Sequence, residues 1–248
     1  MVILKTKKDI EKMADSGYIL ADVHEELKKQ IKPGITTKFL NDIADKIIRQ
    51  HRAVPAFLNY KGFPFSICTS INEEIIHGLP SDRELIEGDI ISVDVGVNYK
   101  GWFSDAAFTI GVGEIPPQAQ KIINVTKEAL NIAILNAKIE RNLGCISNTI
   151  QKHVESNGFN VVRNYVGHGI GKNLHEVPQV KNYGKTKDGI LLKPGMVLAI
   201  EPMVAEKDYN NRKLDNGWTV VTEDKGLAAH FEHTVAITEF GARVLTKK

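Results

Sequence analysis

Glu87-Gly88-Asp89-Ile90-Ile91-Ser92-Val93-Asp94 and Pro194-Gly195-Met196-Val197-Leu198-Ala199-Ile200-Glu201 follow one pattern: x-Gly-x-apolar-apolar-small-apolar-acid. Each reads as a buried strand that ends on a carboxylate. Two further landmarks recur. His77-Gly78 matches His168-Gly169, and Asp105 with Thr109-Ile110 matches Glu232 with Ala236-Ile237. One such octamer means little, because buried strands look alike. Three matches in the same chain order, each with a metal-competent residue, predict a duplicated fold. Two-fold-related halves, about 1–113 and 114–248, would bring the equivalent acids together at a central cleft.

The flanking sequence repeats in the same way. Ile10, Met13, Gly17, Leu20, His24, Leu27 and Ile31 keep 3–4 spacing, one face of a helix. Thr6 with Asp9 suits its N-cap, and Pro33-Gly34 closes it. A second helix is expected over Lys38–Arg52, with Leu40, Ile43, Ala44, Ile47, Ile48 and His51 on one side. Strands follow at Phe65–Ile76, Asp89–Tyr99 and Trp102–Val112, rich in β-branched residues and bounded by glycine. Helices return at Gln118–Ala137 and Ile146–Asn157, then strands at Val161–Val166, Met196–Met203, Trp218–Thr222 and His230–Thr238. The class is therefore α+β. No linker or low-complexity stretch interrupts the chain, so residues 1–248 read as one domain.

Composition narrows the function. With 32 basic and 30 acidic residues the net charge is +2, which argues against a dedicated nucleic-acid binder. Cys68 and Cys145 have no CxxC or CxxH neighbourhood, so neither a zinc knuckle nor a disulfide framework is indicated. Only a few apolar residues precede the first charges, too few for a secretory signal, and no apolar run nears the ~20 residues a bilayer requires. A cytoplasmic protein with no membrane contact is expected.

Asp94 and Asp105 lie in apolar strands joined by Asn98-Tyr99-Lys100-Gly101. With Tyr99-Lys100 as a two-residue loop, Asp94 falls directly opposite Asp105, and any even change of register keeps both on one face. Like charges so opposed are destabilising. One acid in a strand is commonly just solvated or paired with Lys or Arg. Glu201, interrupting an apolar run before Pro202, and Glu232, in His230-Phe231-Glu232-His233-Thr234-Val235, make four acids in four such strands. A bound cation is the obvious compensation. The glycine-flanked loop Val166–Glu176 adds His168 and His175, seven apart and so unlike HExxH, and His77 is a third candidate. Four carboxylates balance two divalent ions. An oxygen-rich set with one imidazole suits Mn, Fe or Co, with Zn also compatible, and two such ions suit amide hydrolysis.

The segments SINEEIIHGLP, GDIISVDVG, GWFSDAAFT, GHGIGKNLHEVP, GMVLAIEPM, NGWTV and FEHTVAIT together resemble the type I methionine aminopeptidases over essentially the whole chain. The resemblance implies a pita-bread fold: two pseudo-symmetric halves with helices covering a curved antiparallel sheet. It implies a monomer with two divalent ions (Co, Mn, Fe(II) or Zn). Asp94 would bind one ion, His168 and Glu201 the other, with Asp105 and Glu232 bridging. A metal-bridging water would attack the first peptide bond of N-terminal Met-containing peptides and nascent chains whose second residue is small. Glu201 would handle its proton, and His77 and His175 would contact substrate and stabilise the tetrahedral intermediate. Tyr60, Phe63, Cys68 and Trp218 would line the methionine pocket. Leu174, Phe63, Gly96 and His230 depart from common family residues. The complete ligand set and the methionine-type pocket motifs disfavour two rivals, a proline-specific peptidase of the same fold and a non-catalytic binding module. Lys5, Lys7, Lys8, Lys12, Lys28 and Lys29 read first as a solvated helix face; ribosome association is an expectation from the family's nascent-chain substrates.

Overall fold

The computed structural model describes residues 2–248. Its first helix, α1 (Lys7–Gln30), begins where the Thr6 hydroxyl accepts from the Asp9 amide and the Asp9 carboxylate accepts from the Thr6 amide. That capping box satisfies two amides which the helix itself leaves unpaired. Met13, Leu20 and Leu27 on its apolar face are fully buried. Gly17 lies on the same face because a Cβ there would stand 2.0 Å from the Leu245 carbonyl oxygen. Gly17→Ala is therefore expected to push α1 off the C-terminal segment. Overpacking of this kind costs about 1–3 kcal/mol, a fall in Tm of roughly 5 °C for a chain this long, readable by a thermal melt; an unchanged Tm would contradict it.

The helix α2 (Thr37–Gln50) ends two residues before the expected Arg52, leaving His51 exposed outside it. The strands β1 (Val54–Pro55), β2 (Ile67–Ile71), β3 (Glu74–Ile76), β4 (Ile90–Tyr99) and β5 (Trp102–Gly111) follow. Then come α3 (Pro117–Asn136), α4 (Gly144–Ser156), β6 (Asn160–Val161), β7 (Gly167–Gly169) and β8 (Glu176–Val180). The chain closes with β9 (Val197–Ile200), β10 (Met203–Ala205), β11 (Asn211–Lys213), β12 (Val220–Thr222), β13 (Ala228–His230), β14 (His233–Thr238) and β15 (Gly241–Val244). No helix among the described residues is long and apolar enough to cross a membrane.

Every pairing is antiparallel, but hydrogen bonding divides the strands into four ladders rather than one continuous sheet. The long expected strands are cut where the backbone cannot keep pairing. Phe65–Ile76 turns at Asn72, which adopts φ 54°. Met196–Met203 breaks at Glu201-Pro202, since proline has no amide to give a ladder. His230–Thr238 breaks at Phe231-Glu232, and of Val161–Val166 only Val161 remains in a strand, as the end of β6. Glu201 and Glu232 thus lie at strand breaks, not inside strands. His168 is the reverse case: it sits in β7, not in a loop.

The two halves meet at β5 and β14. The Glu232 amide donates to the Ala107 carbonyl (2.9 Å), and the Ala107 amide donates back (3.4 Å). One step along, the Asp105 amide donates to Thr234 Oγ1 (2.9 Å), which donates to the Asp105 carbonyl (2.8 Å). Matching Asp105 to Glu232, and so Ala107 to Thr234, exchanges these two pairs with each other. The exchange holds for the residues but not for the atoms, since one pair bonds backbone to backbone and the other through the Thr234 hydroxyl.

Candidate metal centre and substrate pocket

Lys100 and Gly101, with φ 52° and 78°, make the turn between β4 and β5. A two-residue turn with both φ positive matches the twist of the flanking strands, and glycine accepts that conformation freely. The loop is one residue further along than Tyr99-Lys100, so Tyr99 faces Trp102, Gly96 faces Asp105 and Asp94 faces Ala107. Asp94 and Asp105 are consequently diagonal neighbours on one face, not directly opposed. Gly96, opposite Asp105, leaves room for the Phe57 ring, whose Cε1 would be 2.5 Å from any Cβ there.

The acids converge on His168. Its Nδ1 donates to the Gly169 carbonyl at 2.9 Å, so Nε2 keeps its lone pair. That Nε2 is 3.8 Å from Asp105 Oδ2 and 3.7 Å from Glu201 Oε1. These separations are too long for hydrogen bonds and suit ligands sharing one ion at roughly 2.1 Å. Asp105, His168 and Glu232 each offer an atom within 4.8 Å of the others'. Asp94 Oδ1, Asp105 Oδ1 and Glu232 Oε1 are buried without a hydrogen-bond partner. Leaving charged groups so is expensive, and the set fits divalent cations.

The electrostatics agree. Burial raises Asp94 to about 7 and Glu201 to about 8. It holds Asp105 and Glu232 well above the carboxylate range, with repulsion among the acids adding to it. Without a cation the cluster retains protons. The histidines shift the other way for the same reason: burial lowers His168 and His77 to about 4, and His175 to about 3.

A pocket of about 170 Å³ adjoins the acids and is lined by every residue singled out from the sequence: Asp94, Asp105, His168, Glu201, Glu232, His77, His175, Tyr60, Phe63, Cys68 and Trp218. Phe63 and Trp218 meet edge to face with centroids 5.1 Å apart. The Tyr60 hydroxyl is 3.0 Å from His175 Nδ1, and the two rings stack at 5.3 Å. The segment carrying His175 is tied down by Glu176, which accepts from the Lys172 and Asn173 amides and pairs with buried Lys5 at 2.6 Å. Lys5 is thus withdrawn from the surface, and the six N-terminal-region lysines do not form one patch.

The sequence assigned no role to four residues here, among them Leu174, which lines the pocket and was noted only as a departure. Phe57 and Lys61 line the pocket, though neither carries a motif signal. His230, noted only as a departure, is buried with Nε2 unpartnered and 3.6 Å from Glu201 Oε2; a histidine two residues from a buried acid was the available clue.

Residues 11–239 match metallopeptidase family M24. The chain is 49% identical over 247 residues to methionine aminopeptidase 1 of Bacillus subtilis, covering all of both chains. It is 51% identical over 247 residues to methionine aminopeptidase of Clostridium acetobutylicum, covering 99% of each. Among solved structures it superposes on methionine aminopeptidase of Thermotoga maritima with a TM-score of 0.98 at 46% identity, each covered completely. The prolidase of Pyrococcus horikoshii shares the fold alone (TM-score 0.78, 23% identity), with this chain spanning 64% of it. The α+β architecture is therefore the pita-bread fold.

Proposed function

The chain belongs to metallopeptidase family M24, and from that premise we propose that it is a metal-dependent methionine aminopeptidase. It removes the N-terminal methionine of peptides and nascent proteins when the second residue is small. One observation carries this reading: a single small pocket has buried acids and His168 on one wall, and Phe63, Cys68 and Trp218 on another. A thioether packs well against aromatic edges, so the apolar wall takes the methionine side chain. The first peptide bond then lies against the acids.

Asp94, Asp105, His168, Glu201 and Glu232 would hold two divalent ions, Asp105 and Glu232 being shared, with Mn, Fe(II), Co or Zn compatible with the donor set. Bound there, such ions supply Lewis acidity, making water more acidic and the carbonyl more electrophilic. The side chains do the remainder. Glu201 accepts the proton of the attacking water and passes it to the leaving amine. His77 and His175 donate hydrogen bonds to the carbonyl oxygen as it gains charge. Their low pKa values, about 4 and about 3, keep both imidazoles neutral at working pH.

Tyr60 decides which nitrogen of His175 is the donor. With the hydroxyl as donor to Nδ1, 3.0 Å away, the ring proton stays on Nε2, facing substrate. Tyr60→Phe keeps the stacked ring and removes this bond. It is expected to lower kcat by roughly 2–10-fold, the worth of one neutral hydrogen bond, with KM little changed; an unaltered kcat would remove Tyr60 from this role.

In this reading residues 1–248 form one catalytic unit, built of halves about 1–113 and 114–248 and working as a cytoplasmic monomer. Ribosome contact follows from nascent-chain substrates; unchanged ribosome binding after charge reversal at Lys7 and Lys8 would count against it. The deciding assay measures methionine released from Met-Ala-Ser by metal-stripped protein during titration with Mn, Fe(II) or Co. Release that depends on metal supports the proposal. Release of other residues ahead of proline would move the protein to the proline-specific peptidases, and no hydrolysis by folded protein with any metal would overturn the enzymatic reading.

A further inference from the structure

A second cleft, of about 530 Å³, opens between α1 and α3 over β5 and shares no lining residue with the catalytic pocket. Phe108 lies in its wall, three residues from Asp105 on β5, so strand alternation turns it to the face away from the acids.

The charge of this cleft is one-sided. Lys28 from α1, Lys127 from α3 and Lys247 from the C-terminal segment all line it. None of the three forms an ion pair among the described residues. The one acid on its walls, Glu25, is already engaged by Lys248 at 2.7 Å. The Lys28 ammonium is steadied over the Phe108 ring, 4.5 Å from its centroid, yet remains solvent-accessible. Partial desolvation, then repulsion from Lys127, holds Lys28 below the usual lysine range. Beneath these cations lies His24, buried, with Nε2 lacking any hydrogen-bond partner.

Three unpaired lysines around a single acid that Lys248 already engages repel one another and cost stability in the free protein. A multiply charged anion offsets the repulsion. We propose that this cleft binds a small phosphate-bearing molecule, with a phosphate held between Lys28 and Lys127. Its volume is that of a typical small-molecule site, ~300–1,000 Å³, and leaves room for more than an inorganic anion.

The test uses protein stripped of metal with a chelator that is then dialysed away, so that no phosphate can act through the metal centre. Calorimetric titrations with inorganic phosphate, pyrophosphate and ADP are run at constant ionic strength. Saturable binding is expected for pyrophosphate or ADP, weakened at least about tenfold in Lys28→Gln/Lys127→Gln, the loss of one charge-assisted contact or more. Asp105→Asn should bind them as the unaltered protein does. Without ligand the double variant should melt no lower than the parent, since a repulsion has been removed. Absence of saturable binding by all three anions, or binding that survives the double substitution, overturns the proposal.

Discussion

Asp105→Asn is expected to lower metal-dependent methionine release by roughly 10³-fold or more while leaving the fold intact. The side chain lies at the centre of the cluster, with Oδ2 3.8 Å from His168 Nε2 and Oδ1 buried and unpartnered. Asparagine preserves the shape but removes the charge, and can turn an N–H donor toward the cation. Removing one neutral donor to a developing oxyanion already costs about 10²–10³ in kcat. A charged group at the centre of the cluster should cost at least that. Calorimetric titration with Mn should show weakened or lost binding beside the lost activity. The metal-free variant should melt no lower than its parent, because one of several mutually repelling acids is gone. Activity within tenfold of the parent, at unchanged metal stoichiometry, would remove Asp105 from the centre.

The metal-free protein should lose stability as pH rises from about 7 to about 9, and metal should restore it. The sign follows from proton counts. Asp94 near 7, Glu201 near 8, and Asp105 and Glu232, both held well above the carboxylate range, keep protons in the fold that an unfolded chain has already released. The native state then binds more protons than the unfolded one, so stability falls with rising pH. Buried histidines, shifted down, give the opposite slope below the ordinary imidazole value of about 6.5. Above it the acids dominate, and buried Cys68, whose thiol burial pushes up, adds to the fall toward pH 9. Saturation with Mn at about 100 times its Kd adds roughly 2.7 kcal/mol, or 5–10 °C in Tm for a chain of this length. The gain should be largest at the alkaline end, where protons no longer compete for the ligands. Melts of stripped and Mn-loaded protein across this range are the measurement. Stability of the stripped protein that rises with pH would contradict a buried, proton-retaining cluster.

What the sequence disclosed and withheld divides along physical lines. The acids were legible because an ionised group within an apolar run has few alternatives to a cation. The helices were legible because α1 and α2 carry apolar faces at 3–4 spacing and Thr6 caps the first. Register was not, since the choice between Tyr99-Lys100 and Lys100-Gly101 as the turn depends on backbone dihedrals at two residues. Short pieces such as β11 and β15 were also missed, being too brief and too exposed to show a period. The Tyr60–His175 bond joins residues 115 apart and the Lys5–Glu176 pair joins residues 171 apart. Only the folded chain brings such partners together.

The bonds between β5 and β14 have a consequence for symmetry itself. Two separate half-length subunits paired across the same axis would have to place identical side chains on both sides of it, as any isologous dimer does. A single chain carrying both halves has no such obligation. The matched histidines show the freedom in use. His168 donates its Nδ1 proton to a neighbouring carbonyl and turns Nε2 to the acids. His77, its counterpart, stands instead in a left-handed backbone conformation, φ 58°, against the edge of Tyr165. Two positions matched in sequence thus stand in unlike surroundings, and a peptide, which is itself asymmetric from amine to carboxyl, meets a site that can tell its ends apart.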